Sequence, residues 1–289
     1  MGRELNFSER HGYVKISELV QYECMTDGLR TDIFNSIVAY IVIGFCDVED
    51  YNDVPECTLK EAFYAPLYMN SFKRFFKSFY VNILKRRITD IPEYNSIAWK
   101  EFEAYFDKAK WHEVYSLVEW FVQKIVRNKE WQEVFHKRIN VVLEENYSGY
   151  RLLNGLIVPI TDAEELSDVQ TAMIVDVVST HLQAALQCLH DKDYRNSVKE
   201  SISAVEAFVR CKTGKSTLGD ALSELEKSDI VIPNVLKQGF QKIYGWTCGE
   251  DGIRHAIMDG AQEVTVAEAK FMLVTCSAFI NYLKMKGAA

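Results

Sequence analysis

Asn70-Ser71-Phe72-Lys73-Arg74-Phe75-Phe76-Lys77-Ser78-Phe79-Tyr80-Val81-Asn82-Ile83-Leu84-Lys85-Arg86-Arg87 combines an aromatic and a basic pattern within one segment. Phe72, Phe75, Phe76, Phe79, Ile83 and Leu84 recur at three- and four-residue steps, so one face of an α-helix gathers them all. The opposite side is basic, carrying Lys73, Arg74, Lys77, Lys85, Arg86 and Arg87. The aromatic side predicts core packing. The basic side is either solvated or set against phosphate, so these six cations are candidate RNA-binding residues. Pro92 ends the segment.

The same period extends outward. Residues 16–46 read as helical, with Thr26 and Asp27 offering a start. The apolar run Ile33–Cys46 falls short of the ~20 residues that span a bilayer, which fits a core helix. Thr58-Leu59-Lys60-Glu61 is a capping box, in which two side chains satisfy orphan backbone donors. Tyr94–Arg127, broken near Lys110, and Lys129–Glu145 are two further helical runs. Trp99, Phe102, Phe106, Trp111, Tyr115, Trp120, Trp131 and Phe135 line them at helical spacing.

The period then changes to two short β-prone runs, within Tyr150–Ile160, around Asn154-Gly155. Asn-Gly supplies the positive φ angles of a type I′ turn, which predicts one β-hairpin. Thr161-Asp162-Ala163-Glu164 reads as a second capping box. Helices are then expected at about 163–190, 193–212, 217–228, 233–246 and 263–286, the last opened by the box Thr265-Val266-Ala267-Glu268. Gly245–Gly252 reads as a glycine-rich loop. The expected architecture is mostly α: a helical N-terminal domain at 1–147, a junction hairpin at 148–162 and a helical C-terminal domain at 163–289.

Composition agrees with this class. The chain has 289 residues, 48% of them hydrophobic, with only 5 Pro and 14 Gly, which favours long helices over many-turned β architecture. The net charge of -8 argues against a dedicated duplex-DNA binder, so any nucleic-acid contact must use a local patch. Seven scattered cysteines without a CxxC pair predict free thiols in a reducing cytosol and no zinc site. Met1–Arg10 is charged and polar, so no secretory signal and a cytoplasmic location are expected.

Candidate chemistry centres on Arg254, His255 and Asp259. On a helix, His255 and Asp259 lie one turn apart, where the carboxylate could orient the imidazole as an acid/base group. Arg254 is a natural phosphate partner, because its planar fork binds two oxygens at once. The bland reading of the trio is a salt bridge at a helix start. Thr213-Gly214-Lys215-Ser216 echoes the end of a Walker A loop. Val209 stands where its first glycine belongs and no β-strand precedes it, so helix termination and a Ser cap explain it. The remaining histidines show no ligand spacing, and no metal or cofactor is expected.

Several stretches together resemble AbiJ-type abortive-infection proteins. At the N-terminus these are Phe7-Ser8-Glu9-Arg10-His11-Gly12-Tyr13 and Gly28-Leu29-Arg30-Thr31-Asp32-Ile33-Phe34-Asn35. Tyr150-Arg151-Leu152 with Ile157-Val158-Pro159-Ile160-Thr161 looks like the family's junction hairpin. Asp193–Ser197, Glu200–Glu206, Asp251–Ala256 and Ala269–Phe279 match in the C-terminal part. The resemblance implies a C-terminal HEPN-like helical bundle, a class of metal-independent ribonucleases that work as dimers.

Such enzymes carry an Arg, a polar residue, then a His four to six positions after the Arg. Arg254 matches the first and His255 the second. Asp259 stands where the distal His is expected, and no histidine follows His255. Either His255 substitutes as the acid/base, held by Asp259, or the domain binds RNA or a partner without cutting. Ser201 and Glu206, on the helix that packs beside the motif in such folds, are candidate cleft-lining residues. The expected function is an anti-phage endoribonuclease acting on RNA as a homodimer, with a non-catalytic RNA- or protein-binding regulatory module as the alternative.

Overall fold

In the computed structural model, residues 7, 21–46, 72–215, 217–227, 230–248 and 263–288 are described. As the periodicity predicts, they are mostly helical, with one two-stranded hairpin. In chain order the helices are α1 (Asp27–Cys46), α2 (Phe72–Ser78), α3 (Asn95–Lys108), α4 (Trp111–Trp120) and α5 (Lys129–Glu145). Strands β1 (Arg151–Leu153) and β2 (Leu156–Val158) follow. Then come α6 (Ala163–Ala172), α7 (Asp176–His190), α8 (Tyr194–Thr213), α9 (Leu218–Lys227), α10 (Asn234–Cys248) and α11 (Val266–Leu283). The chain divides into two compact units, Met1–Gly155 and Leu156–Ala289, so the division falls in the hairpin turn.

The first unit is built on rings. Phe72, Phe75 and Phe76 of α2 are buried, together with Phe79 and Tyr80 beyond it. Phe76 meets Trp99 of α3 edge-on at 5.0 Å, and Phe79 meets Phe102 at 5.1 Å. Phe121 reaches Phe135 of α5 at 5.1 Å. The two edge-on pairs, Phe76–Trp99 and Phe79–Phe102, add about 0.5–1.5 kcal/mol each beyond their burial. Leu29, Ile33, Ile37 and Ile41 form the buried stripe of α1, which Thr26 caps by accepting from the Leu29 amide at 3.3 Å.

Two helices of this unit end in π turns. The Leu84 amide donates to Phe79 O at 3.0 Å, closing Phe79–Ile83, and Val126 N donates to Phe121 O at 3.1 Å, closing Phe121–Ile125. Each wider turn takes in an extra residue and reorients the chain that leaves it. Periodicity predicts α2 out to Arg87, but the coil ends at Ile83 and Lys85 adopts φ 54.

The hairpin forms as Asn-Gly demands, with Asn154 at φ 49 and Gly155 at φ 78. Asn140 of α5 pairs with both backbone groups of Leu152, at 2.7 Å and 2.9 Å, and so anchors β1. In the second unit α8 packs along α7 and α11, and α6 packs on α11. Ser197 Oγ donates to Ala185 O at 2.9 Å, and Asn281 of α11 donates to Asp168 O at 3.0 Å. Val266–Gly287 is long and apolar enough to cross a bilayer by length and composition. Met272, Leu273, Cys276 and Ile280 on that helix are nevertheless fully buried within the unit.

Several expectations change in detail. The single helix expected at 163–190 is two, separated at Met173–Val175. Its cap is Asp162 rather than a Thr161 box, accepting from the Glu164 and Glu165 amides at 2.9 Å and 3.0 Å. The Thr265 box forms as expected, with Thr265 N donating to Glu268 at 2.9 Å. Gly214, at φ 69, ends α8 as a left-handed cap, and Thr217 rather than a serine caps α9. Gly245–Cys248 continues α10 instead of opening a loop. The Thr58–Glu61 box lies outside the described residues.

Tyr115 offers a test of the first unit's packing. Its hydroxyl shares a 2.8 Å hydrogen bond with Ser148 Oγ, and burial, the main cause, pushes its pKa from 10.0 up to about 12. The folded state therefore holds the phenolic proton more tightly than the unfolded chain. That stability is present below pH 10 and is lost as pH rises towards 12. In urea titrations across this window, Tyr115→Phe should start about 1 kcal/mol less stable at neutral pH and lose stability less steeply. Parallel declines for the two proteins would contradict the assignment.

Candidate functional site

With Phe72, Phe75, Phe76, Phe79 and Tyr80 fixed inward, helix geometry sends the remaining positions of the segment to the other side. Lys73, Lys77 and Val81 form one stripe at four-residue steps, and Arg74, Ser78 and Asn82 form the stripe beside it. Together they make one wall of a pocket of about 860 Å³. Lys124, Ile125 and Arg127, at the end of the second π turn, make the facing wall, and Ile88 completes the lining. Both π turns of this unit thus end at the pocket.

Among the described residues the lining holds five cations, Lys73, Arg74, Lys77, Lys124 and Arg127, and no acidic residue. None of the five forms a salt bridge with another described residue. Arg74 reaches across to the Lys124 carbonyl at 3.5 Å, a long contact that links the two walls. Its charge is also felt at Tyr40, whose phenol burial raises and Arg74 lowers. Asn82 directs its amide hydrogens to Ser78 O and Oγ, both at 2.9 Å. Its carbonyl oxygen remains as an acceptor among the cations.

Three of the six basic residues expected on the helix face therefore line the pocket, and three do not. The turn at Lys85 removes Lys85, Arg86 and Arg87 from that face. Arg86 folds back onto Glu101 at 2.6 Å and lies over the Tyr80 ring, 5.7 Å from its centroid. The Arg87 amide donates to Asp90 at 3.2 Å, opening a short 3₁₀ turn. Lys124 and Arg127 were invisible to periodicity as site residues. They lie about fifty positions downstream, and only tertiary packing brings them to Lys73 and Lys77.

The other predicted residues separate. Ser201 is fully buried and donates to Ser197 O at 2.8 Å, so it faces the helical core instead of a cleft. Glu206 is half-buried and accepts from Tyr244 Oη at 2.8 Å, a tie between α8 and α10. Arg254, His255 and Asp259 lie outside the described residues. No metal-capable cluster of His, Cys, Asp or Glu occurs among the described residues. The described lining residues are equipped to hold an anion, with lysine and arginine side chains as donors.

Five like charges in one pocket repel one another, and salt screens that repulsion. Lys77→Gln should therefore raise the melting temperature at low ionic strength, by the equivalent of about 0.5 kcal/mol or less, and leave it unchanged in high salt. A drop in melting temperature at low salt would show that Lys77 is held by a favourable partner.

Comparison with known proteins places the chain. The family model for AbiJ N-terminal domain 4 matches residues 5–174, more than half of the sequence. The match takes in the pocket, the hairpin and α6. No curated protein and no solved structure matches. On the strength of that family model, the chain belongs to the AbiJ N-terminal domain 4 family.

Proposed function

We propose that this protein is an abortive-infection effector of anti-phage defence that acts on RNA. Its N-terminal unit holds RNA phosphates in the cationic pocket. Its C-terminal unit is HEPN-like and, as a homodimer, cleaves RNA without a metal. Family membership supports the defence role. The observation that carries the RNA reading is the pocket that gathers five cations and, among the described residues, no acid. Lys and Arg positioned this way neutralise phosphates and release counterions, which yields affinity whatever the sequence.

In the cleavage step the RNA 2′-hydroxyl attacks the adjacent phosphorus while His255 takes its proton. Arg254 stabilises the charge that develops on the phosphorane oxygens, and Asp259 holds the imidazole in place. The imidazolium so formed returns the proton to the departing 5′-oxygen, the P–O5′ bond breaks, and a 2′,3′-cyclic phosphate remains. A second reading is a non-catalytic RNA- or protein-binding regulatory module. It is favoured by Asp259 standing where the distal histidine of such motifs belongs, with no histidine after His255.

Incubating the full-length protein with total RNA in EDTA separates these readings. The first predicts cleavage with cyclic phosphate ends, abolished in His255→Ala while light scattering still reports a dimer. Binding should weaken with salt at a log–log slope of about 3 to 4, for five phosphates neutralised on a single strand. Salt-sensitive binding without cleavage supports the regulatory reading. Absence of any RNA affinity would remove both RNA readings.

A further inference from the structure

We infer that the cationic pocket is a nucleotide site: it takes a phosphorylated nucleoside, with the phosphate among Lys73, Arg74, Lys77, Lys124 and Arg127 and the base against Val81, Ile88 and Ile125. The inference rests on the reading that this pocket binds phosphate, and it names the ligand class.

Three features point beyond bare charge. The first is size: the pocket is open to solvent, and its volume of about 860 Å³ lies in the range of small-molecule sites. The second is the aliphatic lining. Val81 and Ile88 are 39% and 56% exposed, and both open into the same pocket as the cations. Polyphosphate gains nothing from those side chains, but a planar base covers them and removes apolar surface from water. The third is Asn82. With its amide hydrogens committed to Ser78, it offers the pocket a carbonyl oxygen. A phosphate oxygen cannot donate to that acceptor, while a ribose hydroxyl or an exocyclic amine can.

Cations and aliphatic side chains share both walls, with Val81 following Lys73 and Lys77 on one and Ile125 following Lys124 on the other. A ligand that joins a phosphate to an apolar group therefore satisfies the whole lining. A guanidinium fork fits two phosphate oxygens at once, which assigns Arg74 and Arg127 as the primary phosphate contacts.

Phosphorylated nucleosides come from two sources, free nucleotides and the 5′-phosphorylated end of an RNA strand. Isothermal titration of the full-length protein with ATP, inorganic tripolyphosphate, and 5′-phosphorylated or 5′-hydroxyl RNA oligomers distinguishes them. The expected result is binding of ATP, or of the 5′-phosphorylated oligomer only, with tripolyphosphate about tenfold weaker. Arg74→Glu should abolish binding. Ile88→Ser, at an exposed position that tolerates the change, should weaken the nucleotide about fivefold and leave tripolyphosphate unchanged.

Equal affinity for ATP and tripolyphosphate, with no effect of Ile88→Ser, would overturn the nucleoside assignment and leave an anion site. RNA binding that depends on Lys77 but not on strand end or nucleotide would overturn it too, while preserving the RNA reading. If neither RNA nor any nucleotide binds, both fall together.

Discussion

Burial of one aromatic stripe governs the first unit. Phe72, Phe75, Phe76 and Phe79 are held among Trp99, Phe102 and Phe121 by edge-on contacts near 5–6 Å, and Tyr80 packs edge-on against Phe79. A large ring gains several times more from burial than a surface lysine gains from any exposed pairing. The helix therefore has no freedom to turn its cations away from one another. Lys73, Arg74 and Lys77 point into the pocket because the rings at their backs cannot leave the core.

The same constraint explains why the pocket is poised for an anion. Packing imposes the charges, and among the described residues no carboxylate forms an ion pair with them. Arg86, a few residues on, shows the contrast: Glu101 neutralises it at 2.6 Å and Tyr80 covers it. Cations of one short segment thus have two fates, and the left-handed turn at Lys85 separates them. Phosphate binding in the pocket would relieve repulsion as well as form hydrogen bonds, which is how a chain of net charge -8 can carry a site for a polyanion.

How legible this was depends on the range of each interaction. The α5 helix is bounded by the sequence at both ends as found, since Asn128 caps it locally through the Glu130 and Trp131 amides. The hairpin was equally legible, because positive φ at Asn154 and Gly155 is a property of those two residues. The break at Met173–Val175 was not, for no glycine or proline marks it and packing alone divides α6 from α7. Both π turns were likewise hidden, since a one-residue insertion in the coil leaves a helical spacing of apolar residues almost intact. Half of the pocket was legible as a basic face, while Lys124 and Arg127 join it only through the fold. Arg254 and His255 rest on family resemblance, whereas the pocket is built by the fold of the first unit.

In our proposal the wall formed by residues 73–82 and 124–127 is where the protein meets phosphate-bearing ligand. Photo-crosslinking of the full-length protein to 4-thiouridine-labelled RNA, followed by peptide mapping, tests it most directly. Crosslinked peptides spanning Lys73–Asn82 and Lys124–Arg127, competed away by nucleotide, are the predicted result. Crosslinks confined to other segments, with these two peptides recovered unmodified, would contradict it.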